Sequence, residues 1–146
     1  LQYKDDLAEP LAKLIIHYLE KSRDFADYKT YDFIVPVPLH KAKLRAREFN
    51  QVELLARIIS AQLNIPVSSD NLYRKRDTTP QMRIAPEKRL TNVSQAFAVR
   101  EPNQLNRKKI LLLDDIMTTG ATVNECSRIL MQAGCERVAV LVLARG

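Results

Sequence analysis

The stretch from Lys109 to Thr122 constrains this chain more than any other. Lys109-Ile110-Leu111-Leu112-Leu113 is apolar without alternation after its first residue, the pattern of a strand buried on both faces of a parallel sheet. It runs into Asp114-Asp115, then Ile116-Met117-Thr118-Thr119-Gly120-Ala121-Thr122, then a helical pattern from about Ala121 to Ala133 that Gly134 closes. Two adjacent carboxylates ending a buried strand repel each other and lose hydration, so a cation or hydroxyl groups must take up their charge and lone pairs. The Thr/Gly loop that follows offers three hydroxyls, approachable backbone N–H groups and a helix N-terminus whose dipole favours an anion. Carboxylates for a diol beside a loop for a phosphate describe a ribose 5-phosphate pocket. The plainer alternative is an acidic strand end followed by an ordinary Thr N-cap.

The rest of the chain alternates in the same way. Leu11, Leu14, Ile15 and Tyr18 within Pro10–Leu19 make one apolar helix face. Asp32 to Val37 reads as a strand ending in a loop constrained by Pro36 and Pro38. From about Phe49 to Leu63 a second stripe comprises Val52, Leu55, Ala56, Ile59 and Leu63. A short strand is expected from Pro66 to Leu72 or Tyr73, a long loop from Arg74 to Gln95, a short strand from Ala96 to Val99, and a buried strand from Arg137 to Leu143. Strands alternating with helices predict an α/β fold with a mainly parallel central sheet flanked by helices. Ligands of such folds sit at the carboxyl ends of the strands.

Composition narrows the chemistry. A chain of 146 residues makes one domain. Only Gly120, Gly134 and Gly146 are present, which excludes a Walker A loop, a GxGxxG dinucleotide loop and a GxSxG nucleophile elbow. His17 and His40 cannot form an HExxH zinc helix, and Cys126 and Cys135 form no CxxC pair, so a metal here is expected to be oxygen-bound. The two cysteines lie among apolar residues and read as reduced core thiols. That suggests a reducing, cytoplasmic setting. No membrane insertion is expected, because the longest apolar run, Val138 to Ala144, is far shorter than the roughly 20 residues a span needs. Leu1 to Glu20 carries charges throughout and does not read as a signal peptide. The first residue is Leu, so an N-terminal part is expected to be missing.

Lys and Arg total 23 against 17 acidic residues, a net charge of +6, which favours anionic partners: phosphorylated small molecules, nucleic acid, or both. The charge is concentrated. Lys41, Lys43, Arg45 and Arg47 follow His40 without an acid between them, and six basic residues from Arg74 to Arg89 face only Asp77 and Glu87. Each run taken alone also reads as a solvated face.

Ile110 to Val123 resembles the phosphoribosyl diphosphate (PRPP) signature of type I phosphoribosyltransferases. Further segments narrow the resemblance to the ComF/ComFC family of competence-associated phosphoribosyltransferase-like proteins. Val35-Pro36-Val37-Pro38-Leu39-His40 with Arg45, Arg47, Phe49-Asn50-Gln51 and Leu54-Leu55-Ala56 is similar to its first block. Leu72, Arg74, Arg76, Thr78, Gln81, Arg89, Asn92 and Ala96-Phe97 follow its middle block, and Gly134 to Arg145 its last. The resemblance implies a single phosphoribosyltransferase-like domain with a long flexible basic loop. It implies that Asp114 and Asp115 hold the ribose hydroxyls, directly or through Mg²⁺, and that Thr118, Thr119, Gly120, Ala121 and Thr122 wrap the 5-phosphate. Leu39, His40 and Lys41 would meet the pyrophosphate, with Arg45 and Arg47 as further candidates, in a loop that often holds a non-proline cis peptide. Residues 74–95 would form a lid whose Arg83 and Arg89 stabilise developing charge. The implied reaction displaces pyrophosphate at ribose C1 with Mg²⁺ on the leaving group.

The chain departs from its resemblance in places. Purine-salvage members often carry an acid where this chain has Thr118, so no general base for the acceptor, and no catalytic residue, is visible. The family tends to have Gly where this chain has Asp5, Glu48 and Gln95. ComF relatives commonly carry a Cys-rich zinc-binding segment that this chain lacks. Two functional classes therefore stand: a PRPP-dependent enzyme with an unknown acceptor, and a non-catalytic PRPP sensor or single-stranded DNA-binding protein acting with other competence proteins in DNA uptake. Aromatic residues are only 6% and Trp is absent, which disfavours a stacking platform but leaves a phosphate-backbone mode open. Met82, Met117 and Met131 read as gap-fillers, and His17 has no assigned role.

Overall fold

The computed structural model describes residues 7–40, 44, 45, 50–75, 85 and 95–146. In chain order the elements are α1 (Ala8–Lys21), two 3₁₀ turns (Arg23–Phe25 and Tyr28–Thr30), β1 (Phe33–Pro36), α2 (Gln51–Leu63), β2 (Leu72–Arg74), β3 (Phe97–Val99), α3 (Pro102–Leu105), β4 (Lys109–Met117), α4 (Ala121–Gln132) and β5 (Arg137–Arg145). Strands β1, β4 and β5 form a parallel sheet in the order β1-β4-β5, while β2 and β3 pair antiparallel as a separate hairpin.

The register of the sheet is set at its lower edge. The Asp32 N–H donates to the Lys109 carbonyl, and the Lys109 N–H donates back to the Asp32 carboxylate, both at 2.8 Å. Phe33 then lies beside Ile110 and Pro36 beside Leu113. Alternation divides the apolar run of β4 between two cores. Leu111 and Leu113 face a cluster built with α1 and α2, whereas Ile110 and Leu112 face one built with α4 and the β2–β3 hairpin. Burial on both faces makes β4 the central strand, as its sequence predicts.

Both long helices on the first side form as expected, with one rotated. Asn50 caps α2 by accepting the Val52 N–H at 3.1 Å, and Val52, Leu55, Ala56 and Ile59 are buried. In α1 the buried residues are Ala8, Ala12, Ile15, Ile16 and Leu19, while Leu14 is 66% exposed and Tyr18 49%. The stripe of large residues predicted the wrong edge of this helix. The two alanines let the backbones of α1 and α2 approach closely, so that face turns inward and the bulkier flank stays outside.

Three other boundaries differ from expectation. The segment expected as a strand from Pro66 makes only a bridge, Val67 beside Ile34, and the strand proper is Leu72–Arg74. β5 extends to Arg145, past the expected Leu143. β4 does not stop before the acid pair: it continues through Asp114 and Asp115 to Met117, with Asp114 beside Val142 and Met117 beside Arg145. The long β5 supplies the ladder on that side. On the other side β1 ends at Pro36, and the Val37 N–H just beyond it still donates to the Leu113 carbonyl at 2.9 Å. The basic loop expected between Arg74 and Gln95 lies largely outside the described residues.

The two open ends of the hairpin are tied together by Asn71, one of two buried polar residues among those described. Its side-chain amide donates to the Glu101 carbonyl at 3.2 Å and its side-chain oxygen accepts the Glu101 N–H at 2.9 Å. Replacing Asn71 with Ala removes the acceptor of the Glu101 N–H, while the Glu101 carbonyl keeps the Gln104 N–H at 3.2 Å, with an expected loss of about 1 kcal/mol. Urea unfolding of the two proteins measures it, and an unchanged midpoint would refute the role.

Candidate functional site

The sheet topology places the acid pair and the Thr/Gly loop that follows it at one edge of the sheet. Because β1 stops beside Leu113, Asp114 has a registered neighbour, Val142, on the β5 side only. Asp114 is 8% exposed, and Asp115 is half-buried. Each carboxylate accepts the N–H of the following residue: Asp114 Oδ1 from Asp115 at 2.9 Å, Asp115 Oδ1 from Ile116 at 2.7 Å. These short local bonds orient both carboxylates. Ile116, next along the strand, is 57% exposed.

Two residues past β4 the chain turns into α4. Gly120 is the N-cap residue with φ of 81°, a left-handed conformation that favours glycine, and its carbonyl accepts the Asn124 N–H at 2.9 Å. Thr119 Oγ1 accepts the Ala121 N–H at 3.3 Å. Thr118 and Thr119 are exposed, Thr122 is half-buried and Ala121 is buried. The Gly146 N–H donates to the Met117 carbonyl at 3.0 Å, holding the end of β5 against the start of the loop. The N-terminus of a helix of 12 residues thus opens beside two carboxylates, one element apart in sequence.

The other expected site residues divide. Leu39 and His40 are half-buried and follow β1, so they lie at the same carboxyl edge; the His40 carbonyl accepts the Leu44 N–H at 3.0 Å. Arg45 is exposed. Lys41, Arg47, Arg83 and Arg89 lie outside the described residues. Peptide bonds among the described residues are all trans, so the cis bond implied for the loop is not found at Leu39–His40.

Arg74 is a cation that the motif reading did not single out for the pocket. Its guanidinium stacks over Phe97, 4.7 Å from the ring centroid. The buried Cys126 thiol feels both Arg74 and Asp114: burial raises its pKa far above the ordinary value, Arg74 opposes that and Asp114 adds to it. The cation–aromatic pairing of Arg74 and Phe97 across β2 and β3 was the only available signal, and it requires the hairpin register. Cys135 is pushed up to about 11 by burial. Both thiols are therefore inert packing groups, as expected of core cysteines.

Glu125 is a second residue the sequence did not flag. Its carboxylate takes two bonds from Arg128, at 2.8 and 2.7 Å, and accepts the Gln95 N–H at 3.0 Å. The Arg128 fork, helped by that N–H and by nearby Lys75, holds Glu125 below the usual carboxylate range against the opposing effect of burial.

No group of three or more His, Cys, Asp or Glu side chains comes together among the described residues. The donor set at the site is two carboxylates and threonine hydroxyls, all oxygen. That suits Mg²⁺, which takes one or two protein carboxylates and completes its shell with water and substrate phosphates.

A model of the "phosphoribosyl transferase domain" family matches residues 53–146, from α2 through the acid pair and the Thr/Gly loop to the end of β5. This chain belongs to the phosphoribosyl transferase domain family. The domain is 32% identical over 136 residues to "Competence protein F" of Haemophilus influenzae, covering 92% of this chain and 59% of that protein. It is 30% identical over 142 residues to "DNA utilization protein YhgH" of Escherichia coli K12, covering 97% of this chain and 62% of that protein. The ComF resemblance thus holds, and the chain spans about three fifths of these relatives. The adenine phosphoribosyltransferase of Thermoanaerobacter pseudethanolicus shares the fold at a TM-score of 0.58 and 10% identity, over 94% of this chain and 67% of that one. No described helix is long and apolar enough to cross a membrane.

Two outcomes follow from this geometry. A Cβ on Gly120 would meet only Asn124 Nδ2 at 3.6 Å and Met117 Sδ at 3.7 Å, ordinary contacts, so Gly120→Ala pays backbone strain alone, about 1–2 kcal/mol by urea unfolding. Glu125 is a stronger acid folded than unfolded, so its contribution is complete above the ordinary Glu range and lost as pH falls through the folded value. Between about pH 7 and about pH 3, wild type should lose more Tm than Glu125→Gln; equal losses would refute the assignment.

Proposed function

We propose that this domain binds PRPP with Mg²⁺ and transfers its phosphoribosyl group to an acceptor. The observation that carries the reading is that β4, with the acid pair near its end, runs through Thr118 and Thr119 into the N-terminus of α4. In this reading Asp114 and Asp115 hold the ribose 2′- and 3′-hydroxyls or their Mg²⁺, and Thr118, Thr119, Gly120, Ala121 and Thr122 surround the 5-phosphate with hydroxyls and N–H groups. Leu39, His40 and Lys41, after β1, line the pyrophosphate side. Arg45, Arg47, Arg83 and Arg89 supply cations there. In the transfer the C1–O bond breaks, its electron pair leaves with pyrophosphate, and the acceptor nucleophile bonds to C1. Mg²⁺ held at Asp114 and Asp115 would supply charge neutralisation for the leaving group, and the basic side chains would add to it.

The names of the relatives, competence protein and DNA utilization protein, support a role in DNA uptake and natural transformation. They also favour a second reading. A non-catalytic domain could use the same pocket as a PRPP sensor, with its basic runs on single-stranded DNA or against other competence proteins. Net charge of +6 supports that reading, since backbone binding needs only cations.

Calorimetry separates the two. PRPP titrated with and without Mg²⁺ into wild type and the Asp114→Asn/Asp115→Asn double variant should bind only with the metal and only to wild type. An oligonucleotide titrated at two salt concentrations should bind weakly and without a steep salt slope if the pocket is the functional site. No PRPP binding together with salt-sensitive DNA binding would overturn the transferase reading.

A further inference from the structure

The two acids of β4 have different surroundings. Asp115 is half-buried, whereas Asp114 is the one buried charged residue among those described. Alternation along the strand sends Asp114 to the side of Ile110 and Leu112, into the layer closed by α4 and the β2–β3 hairpin. There its Oδ1 accepts the Asp115 N–H at 2.9 Å. A neutral N–H does not offset the lost hydration of a carboxylate, and a charge removed from water persists where an opposite charge shares its layer.

The cation of that layer is Arg74. It ends β2 directly across from Phe97, and its guanidinium lies 4.7 Å from the Phe97 ring centroid. Phe97 is fully buried in the same cluster as Ile110, Leu112 and Cys126, and the Nε of Arg74 is shut off from solvent. The hairpin register therefore turns this guanidinium inward, and the aromatic face holds it there. Cys126, fully buried on α4, feels both charges, Asp114 raising the pKa of its thiol and Arg74 lowering it. The two opposite charges thus lie about one buried side chain, under the end of β4.

We infer that Arg74 is a positioning residue for the acid pair: stacked on Phe97, it supplies the positive charge beneath the pocket that fixes the Asp114 carboxylate toward the ribose hydroxyls. This rests on the PRPP reading of the site. The role belongs to arginine in particular, because a planar guanidinium stacks on a ring and presents its donors in a fixed fork, whereas an ammonium is a mobile point charge. It also differs from a general stability role. Only the part of a ligand that meets the acids should respond to loss of Arg74, and the part that meets the N-terminus of α4 should not.

The test is calorimetry, with Mg²⁺, of ribose 5-phosphate and 2-deoxyribose 5-phosphate against wild type, Arg74→Met and Arg74→Lys. The two ligands share the phosphate and differ by one hydroxyl of the diol, so the ratio of their Kd values reads the acid pair. One hydrogen bond to a charged group predicts that wild type binds ribose 5-phosphate about tenfold more tightly than the deoxy sugar. In Arg74→Met the ratio should fall to about one through weaker binding of ribose 5-phosphate, with the Kd for the deoxy sugar unchanged. Arg74→Lys should restore part of the ratio, and it serves if Arg74→Met does not fold, an undiminished ratio again counting against the role. A ratio kept in Arg74→Met, or equal loss for both ligands, overturns the inference while leaving the pocket intact. A wild type that binds neither ligand, or binds both alike, overturns the pocket reading instead, and the inference falls with it.

Discussion

The structure depends on one strand being dry on both faces. Ile110 and Leu112 on one side and Leu111 and Leu113 on the other can be satisfied only by placing β4 between two layers of helix and hairpin. Everything else is arranged around that demand. Helices α1 and α2 cover one face, α4 and the β2–β3 hairpin cover the other, and β1 and β5 take the two ladder edges. The site is then a consequence of unequal strand lengths. β1 ends beside Leu113 while β5 continues to Arg145, which leaves a step in the sheet edge where the acid pair emerges.

That step is where the acid pair emerges. Two carboxylates stand at it, one nearly buried, and each is oriented by the N–H that follows it in the chain. The opening of α4 lies beside them, so an anion-seeking helix terminus and a cation- or hydroxyl-seeking acid pair share one edge. A ligand that carries both a diol and a phosphate answers both. Cys126 lies beneath, held as an uncharged thiol by burial, so that its role is to fill volume next to Asp114 and Arg74.

Much of the architecture was legible because hydrophobic period is a local property. The run before Asp114 has no polar partner face, and the stripe Val52, Leu55, Ala56 and Ile59 repeats at helical spacing; both were found where they were expected. The misreadings occurred where partners decided. Leu14 and Tyr18 outrank Ala8 and Ala12 in hydrophobicity, yet the alanines face inward because α2 lies close. The acid pair read as a strand end, yet it remains in the ladder because β5 is long enough to accompany it.

The sequence by itself determined the central strand and the order of acid pair, Thr/Gly loop and helix. These follow from residue type and spacing along a few consecutive turns. Only the tertiary structure decided which neighbours reach that site. Arg74 stacked on Phe97, Glu125 on the Gln95 N–H and Asn71 across to Glu101 each join residues 23 to 30 positions apart. Such contacts exist only once the strands are in register, because no local pattern encodes the distance between two segments that meet solely through the core they share.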